Sequence, residues 1–408
     1  MSSRKATRHS TKEHNSRLVL KTFFDNKEIS RADVARATGL TKATVSDLVY
    51  ELIQQGLVAE SRYAETAVGK PPLLLEVERD GRHLICIDLA NQEFRGAVVN
   101  LRGEFIHTLN LPREGRVGEQ AIEVVYHLID ALLEKTQRPL LGIGIGTPGL
   151  IDTTTGVVHN AVNMEWQDVP LGEFLAARYE LPTHIANDSQ IAALAESLFG
   201  DCQPNANLVA IKMGRGIGAG IVLNGQLYQG DGFGAGEIGH IRVAKNNLLC
   251  RCGNTGCLET VASSRAVVQR AQTLAPTRPE SVLHPLSPEE LTFDCLREAF
   301  LAGDALAVEI IREAGSAMGI AVANLIGILN IQQIVFSGDM TELGQPWLDL
   351  IWHEIKQSTL LSLASNTKIS LSCLNKDEVI QGASALLLTR ELGIVPTPVR
   401  GSNHGAGL

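Results

Sequence analysis

Aromatic residues are scarce in this chain of 408 residues, only 4% of it, while 38 glycines point to many tight turns and close backbone approaches. Long apolar runs are missing too. The longest, residues 317–329, is interrupted by Asn324 and stops at Asn330, short of the about 20 apolar residues a bilayer crossing needs. No apolar segment follows the first residues (Met1-Ser2-Ser3-Arg4-Lys5), so no signal peptide is expected and a soluble cytoplasmic protein is the default. Cysteine is sparse, at seven residues, an odd number. Without a secretory signal a disulfide framework is not expected. What is present, 44% hydrophobic and 20% charged residues, excludes wholesale disorder, and the length suits about two or three domains.

Charge is unevenly spread. Residues 1–72 carry 12 Lys/Arg against 8 Asp/Glu, and the remaining 336 carry 24 against 37. A small basic head on a large acidic body implies that only the head meets a polyanion.

The head has a helical rhythm. Leu18, Val19, Leu20, Phe23 and Phe24 form one apolar face. Ser30 precedes Arg31-Ala32-Asp33, a start signal for a short helix that Gly39 closes. Thr41 caps the next helix, where Val45, Leu48, Val49 and Leu52 recur at helical spacing. The pattern predicts a helix-turn-helix, followed by a β-wing from the segments Gly56-Leu57-Val58-Ala59-Glu60 and Pro72-Leu73-Leu74-Leu75-Glu76-Val77. Lys42, Ala43, Ser46 and Asp47 should then face outward, flanked by Thr44, at the start of a recognition helix, the part that reaches base edges in a major groove. Arg31 and Thr41 border that surface, and Lys70 ends the wing loop as a cation for a phosphate or the minor groove. A three-helix bundle with no DNA role would share the apolar pattern.

From residue 83 the texture is alternating strands and helices. Strands are expected at residues 83–89, 96–100, 140–146 and 207–213, with a hairpin turn at residues 100–104 and a helix over residues 191–199. The fold class is α/β with a mixed sheet. Cys250, Cys252 and Cys257 fall within eight residues and follow His240 in the spacing H-x9-C-x-C-x4-C. Three thiolates and an imidazole suit a closed tetrahedral Zn²⁺ site of structural role, with no open position for activated water. Cys86, Cys202, Cys295 and Cys373 are scattered, mostly among apolar neighbours, and read as buried structural thiols.

Five segments then occur in a telling order: Gly146-Thr147-Pro148-Gly149, Ile185-Ala186-Asn187-Asp188, Gly214-Arg215-Gly216-Ile217-Gly218-Ala219-Gly220, Glu237-Ile238-Gly239-His240, and the cysteine motif ending in Leu258-Glu259. In that order they resemble the ROK proteins (repressors, open reading frames and kinases). With the winged helix in front, the chain is similar to the ROK transcriptional regulators of the NagC/XylR type over about residues 15–395. The resemblance implies a two-lobed, actin-like or ribonuclease H-like ATPase fold behind the winged helix. It implies a sugar site at Asn163, Asn187, Asp188, Glu237, His240 and Glu259, the zinc loop positioning the glutamates. In ROK kinases the residue matching Asp188 is the general base on the sugar hydroxyl. From the residues alone Asp188 is equally a first-turn helix carboxylate, and Asn163 a turn residue.

The nucleotide elements depart from the kinase pattern. The first phosphate loop of the kinases reads D-x-G-G-T, and here it is Asp88-Leu89-Ala90-Asn91-Gln92. Side chains at Ala90 and Asn91 obstruct the approach of backbone N–H groups to phosphate. Asp339 adds a negative charge to the adenosine-side motif Ser337-Gly338-Asp339-Met340. The expected protein is therefore a non-enzymatic, sugar-responsive DNA-binding regulator, commonly a repressor in this family. It should act as a homodimer or tetramer on an inverted-repeat operator in duplex DNA, with structural zinc and no membrane partner, and Asp188 is a vestigial base. The alternatives are a bifunctional sugar kinase and a kinase whose head binds protein. Expected domains are a basic flexible N-terminus (1–14), a winged helix (15–77), a first lobe (78–190 with 380–395), a second lobe carrying the zinc loop (191–379) and a flexible tail (396–408).

Overall fold

The structure, a computed structural model, describes residues 8–64, 71–89, 92–200, 207–243 and 247–394. The expectations for Lys70, Ala90, Asn91 and the tail at 396–408 lie outside these. Two compact units emerge, formed by the described residues within Met1–Asn187 and Ile380–Val395 and by those within Asp188–Val379.

The first unit begins with the head. Helix α1 (Arg8–Asp25) is followed by a two-residue strand β1 (Ile29–Ser30), α2 (Arg31–Thr38), α3 (Lys42–Gln54), β2 (Val58–Tyr63) and β3 (Leu73–Val77). The three strands pair in the order β1-β3-β2 as the wing. Val19, Phe23, Val34, Val45, Val49 and Leu75 are wholly buried and form the core. Residues 8–14, expected to be a flexible extension, are instead the first turns of α1. Lys12 reaches Glu51 of α3 at 2.6 Å, and Glu13 pairs with Arg17 one turn on.

The lobe behind the head contains β4 (His83–Leu89), β5 (Glu93–Asn100), β6 (Phe105–Pro112), α4 (Gly118–Leu133) and β7 (Leu140–Thr147). A small side sheet follows, made of β8 (Leu150–Asp152), β9 (Val157–Ala161) and β10 (Trp166–Val169), and then α5 (Leu171–Tyr179) and β11 (Thr183–Asn187). The main sheet has the order β11-β7-β4-β5-β6, parallel over its first three strands and antiparallel beyond. Continuous aliphatic runs such as Ile85 and Ile87 are buried because helices cover the sheet.

The second unit opens with α6 (Asp188–Phe199), β12 (Leu208–Met213), β13 (Ile217–Leu223) and β14 (Gln226–Tyr228). The short α7 (Glu259–Ala262) leads to α8 (Ser264–Leu274), α9 (Phe293–Leu301) and the long α10 (Ala305–Leu329). Then come β15 (Gln333–Ser337), α11 (Gly344–Ser358), the short α12 (Leu361–Ala364) and β16 (Lys368–Leu371). Its sheet has the order β14-β13-β12-β15-β16, again an antiparallel hairpin followed by parallel strands. Each unit thus carries the same five-strand arrangement, the internal likeness of an actin-like fold. The last helix, α13 (Glu378–Leu392), belongs to the first unit from Ile380 onward. Its backbone lies so close to β7 that a Cβ at Gly144 would sit 2.5 Å from the Ala383 carbonyl oxygen. Among the described residues no helix is long and apolar enough to cross a membrane.

Candidate functional site

In the head, both helix starts are capped by side chains. Ser30 Oγ accepts from the Asp33 N–H and Thr41 Oγ from the Thr44 N–H, both at 3.2 Å, while Gly39 ends α2 in the left-handed region at φ 73°. Val45, Leu48, Val49 and Leu52 point into the core, leaving Lys42, Ala43, Ser46 and Asp47 exposed. Tyr50, not singled out from the sequence, continues that surface at 64% exposure. Its position one turn beyond Ser46 was the available signal. Thr41 and Thr44 also bond each other at 2.9 Å, and Arg31 is held by Glu60 of the wing at 3.2 Å.

In the second unit, the structure brings together Asp188, Glu237, His240 and Glu259, and adds Lys212. Asp188 begins α6, and its Oδ1 accepts from the Ser189 N–H at 2.8 Å. Its Oδ2 lies 2.7 Å from the ammonium of Lys212, the penultimate residue of β12. Burial pushes the Asp188 carboxyl up, but the Lys212 charge and the Ser189 hydrogen bonds outweigh it, and the group titrates below the usual aspartate range. Glu237 moves the other way: burial raises it, with further repulsion from Asp188 and Glu259, against the pull of His240. Lys212 was missed in the sequence although the signal was present: a lone cation inside the apolar strand Leu208-Val209-Ala210-Ile211-Lys212-Met213.

The glycine-rich stretch at residues 214–220 has a packing explanation. Its first part is the β12–β13 turn, closed by the Gly214 N–H donating to the Gly216 carbonyl at 3.0 Å. Added Cβ atoms at Gly218 and Gly220 would collide with α6, at 2.4 Å from Ser189 Oγ and 2.5 Å from the Ala193 methyl. These glycines let α6 lie flat on β13, which carries Asp188 to Lys212. Glu259 is engaged in the same turn. Its Oε2 accepts from the Ile217 N–H at 3.1 Å and its Oε1 faces Arg265 at 3.6 Å. Asp339 accepts from Ser264 Oγ at 2.9 Å and faces Gly214.

Glu237 and His240 sit on a segment pressed against β13, where a Cβ at Gly239 would meet the Ile217 carbonyl oxygen at 2.2 Å. His240, Cys250, Cys252 and Cys257 offer four ligand atoms all within 4.8 Å of one another, a cluster that could hold a metal ion. Cys252 and Cys257 sulfurs are 3.7 Å apart, and Cys250 Sγ is 3.5 Å from His240 Nδ1. The other ring nitrogen, Nε2, faces Glu237 Oε2 at 3.8 Å. One imidazole therefore turns one nitrogen to the cysteines and the other to the carboxylates.

The two remaining residues that the resemblance assigns to a sugar site, Asn187 and Asn163, belong to the first unit. Asn187 ends β11 and donates from Nδ2 to the Gly149 carbonyl at 2.9 Å, fixing the loop of Gly146-Thr147-Pro148-Gly149. Asn163 lies in the turn between β9 and β10, its carbonyl accepting from Arg113 at 2.5 Å. Asp88 is buried at the end of β4.

Comparison with known proteins agrees with this geometry. Residues 84–390 match the ROK family, and residues 19–62 match the IclR helix-turn-helix domain. A relative from Caldicellulosiruptor bescii named xylose repressor is 34% identical over 384 residues, covering 93% of this chain and 96% of that protein. A solved ROK family transcriptional regulator, described as a homologue of the E. coli MLC protein, has a TM-score of 0.85 at 28% identity, covering 94% and 98% of the two chains. A ROK glucokinase from Streptomyces griseus, solved with glucose and AMPPNP, has a TM-score of 0.67 at 27% identity, covering 74% of this chain and 98% of that one. A capped helix-turn-helix, two lobes of matching topology and a His/Cys cluster beside a carboxylate group thus coincide with a match over most of the chain, and the chain belongs to the ROK family.

Proposed function

We propose that this chain is a sugar-responsive regulator of transcription, a repressor, that binds duplex DNA through its head and a sugar through its ROK body without phosphorylating it. The observation that carries the reading is the head: a helix-turn-helix capped at both helix starts, with the first turns of α3 exposed and flanked by a wing. The full-length likeness to a protein named xylose repressor and to a solved ROK regulator supports it. On this reading Lys42, Ala43, Ser46 and Tyr50 meet base edges, and Thr41, Thr44, Arg31 and Lys70 meet or frame the DNA backbone. One head covers one half-site, so the working form is a homodimer on an inverted repeat, in the cytoplasm where the DNA is. Asn163, Asn187, Asp188, Glu237, His240 and Glu259 contribute to the sugar site.

The metal is zinc. A Zn–S bond of about 2.3 Å gives a tetrahedron with sulfur–sulfur edges of about 3.8 Å, close to the 3.7 Å between Cys252 and Cys257. With all four positions filled by protein, the ion supplies rigidity, and the cluster's residues hold His240 Nε2 and Glu237 in place.

Against catalysis stands the Asp188–Lys212 pair. A general base must be free to take a proton, and a carboxylate held by an ammonium at 2.7 Å is a weaker base with one oxygen engaged. It remains a good hydrogen-bond acceptor for a sugar hydroxyl. Two measurements test the whole reading. A thermal-shift screen over hexoses, pentoses and aminosugars should find one class that raises the melting temperature, at which ATP and Mg²⁺ yield no sugar phosphate. Turnover would make the protein a kinase. Lys42→Ala should weaken operator binding by roughly 5- to 100-fold and relax specificity at one base pair, and a footprint without two-fold symmetry would overturn the dimer.

A further inference from the structure

Helix α1 has no basic residue in its last turn to offset the negative end of its dipole, and Lys21, just before that turn, is engaged by Asp25 at 2.5 Å. The cation there comes from the lobe. Arg102, in the turn between β5 and β6, donates from Nη1 to the Phe24 carbonyl at 2.6 Å and from Nη2 to the Phe23 and Asn26 carbonyls at 3.3 and 3.2 Å. Its guanidinium also lies over the Phe24 ring, 5.0 Å from the centroid. One side chain from the body thus gathers the carbonyls of Phe23 and Phe24 in the last turn of a helix in the head and that of Asn26 just beyond it, 76 to 79 residues away.

The turn that holds Arg102 is stiff. Asn100 Oδ1 accepts from the N–H groups of Arg102 and Glu104 at 2.9 and 3.1 Å, and Gly103 supplies the left-handed φ of 77°. Glu104 is tied to Asn100 Nδ2 at 2.9 Å and to Arg79 at 3.0 Å. The turn also has a defined place in the sheet. Asn100 pairs with His83 and Phe94 with Leu89, so β5 runs back along β4 and ends at the edge where β4 starts. Asn187 ends β11 at the opposite edge, in register with Thr147 of β7. A strand of eight residues spans about 25 Å. The sugar-site end of this sheet and the turn that grips α1 are its two ends. On the head side, the wholly buried Phe23 locks α1 into the core that carries α3.

We propose that Arg102 is the coupling residue of this regulator, the contact through which the ligand state of the body sets the position of the DNA-reading head. The inference rests on the regulator reading above. Arg102 touches neither DNA nor sugar, and acts by positioning α1 and thereby α3. A shift of the sheet's far edge moves the guanidinium, and three hydrogen bonds with a stacked ring transmit that shift as one body. A lysine would keep the charge at the helix end but not the planar fork that meets three carbonyls at once.

The test uses full-length protein, the best sugar from the thermal screen and its operator duplex. Sugar affinity is measured by calorimetry, and DNA affinity with and without saturating sugar. In the wild type, sugar should change DNA affinity by a factor within the roughly 5- to 150-fold range usual for coupled sites. In Arg102→Ala the sugar affinity should stay within about twofold of wild type while the sugar-dependent factor on DNA falls below about twofold. Arg102→Lys should lie between the two, which a merely stabilising role would not produce. Faster amide exchange at the end of α1 in Arg102→Ala, with β5 and β6 unchanged, would accompany it. A full sugar-dependent factor in Arg102→Ala overturns the proposal and leaves the regulator reading intact. A wild type that binds DNA equally with and without every sugar overturns both.

Discussion

Cys252→Ala is expected to empty the metal site and abolish sugar binding, with zinc falling from about one per chain to near zero by elemental analysis. The size of the effect follows from what a structural zinc contributes, about 10 to 16 kcal/mol of apparent binding energy in small domains at neutral pH. Removing one of three thiolates leaves an open tetrahedron that water must fill. Arg242 and Leu249 each pair by a single bridge with Cys257 and Thr255, so little regular structure holds this loop without a metal. Glu237 and His240 ride on the adjoining segment and should lose their fixed positions. The head has its own core and should keep its fold, read by the ability of the variant to bind DNA. Freshly prepared wild-type protein without zinc would sink the assignment. A variant that loses zinc and keeps full sugar affinity would refute only the positioning role.

The second large effect is expected at Asp188. Asp188→Asn should lower sugar affinity by more than tenfold and blunt the sugar's effect on DNA, without any phosphorylation to lose. The substitution also strands the Lys212 ammonium, and breaking one side of a buried pair costs about 3–5 kcal/mol. Both side chains are mostly buried, at 16% and 23% exposure, so most of that penalty applies. Lys212→Met separates the two contributions. It keeps the carboxylate and removes the charge that holds it ionised, so burial then raises the Asp188 pKa. In the wild type the depressed pKa means that the pair's stabilisation is complete above the ordinary aspartate value and is lost as pH falls through the folded-state pKa. In Lys212→Met the carboxyl protonates at higher pH, and sugar affinity should fall off on the acid side earlier than in the wild type. Calorimetry over a pH series reads this directly. Superimposable pH profiles would show that Lys212 does not govern the carboxylate, and sugar phosphate formed by wild type but not by Asp188→Asn would identify a kinase.

Most elements were legible in the sequence because their causes are local. Ser30, Gly39 and Thr41 act on the backbone within three or four residues, and the apolar spacing of Val45, Leu48, Val49 and Leu52 fixes which face of α3 is buried. The cysteine motif was legible for the same reason, since its ligands follow one another along a short loop. Contacts across many residues were not. Lys212 meets Asp188 only because Gly218 and Gly220 admit α6 onto β13, and no local pattern states which helix packs there. Arg102 looked like an ordinary turn residue, since the carbonyls it holds end a helix in another domain. Glu259 was read as a sugar contact through resemblance, and what the structure shows it doing is anchoring the Ile217 N–H. Residues 8–14 were expected to belong to a flexible N-terminus, and their helix is accompanied by the pairs Lys12–Glu51 and Glu13–Arg17, the first of which is non-local.

The two nitrogens of His240 have a thermodynamic consequence. The ring turns Nδ1 to the cysteines and Nε2 to Glu237, so on the proposed reading a zinc ion and a bound sugar would share one rigid lever. Binding free energies on a shared element are reciprocal: whatever factor the metal adds to sugar affinity, the sugar must add to metal affinity. The protein would then hold its zinc hardest when it is carrying its effector. A chelator too weak to strip the liganded form could still draw the ion from the empty one, and metal supply and sugar supply would be read by the same ring.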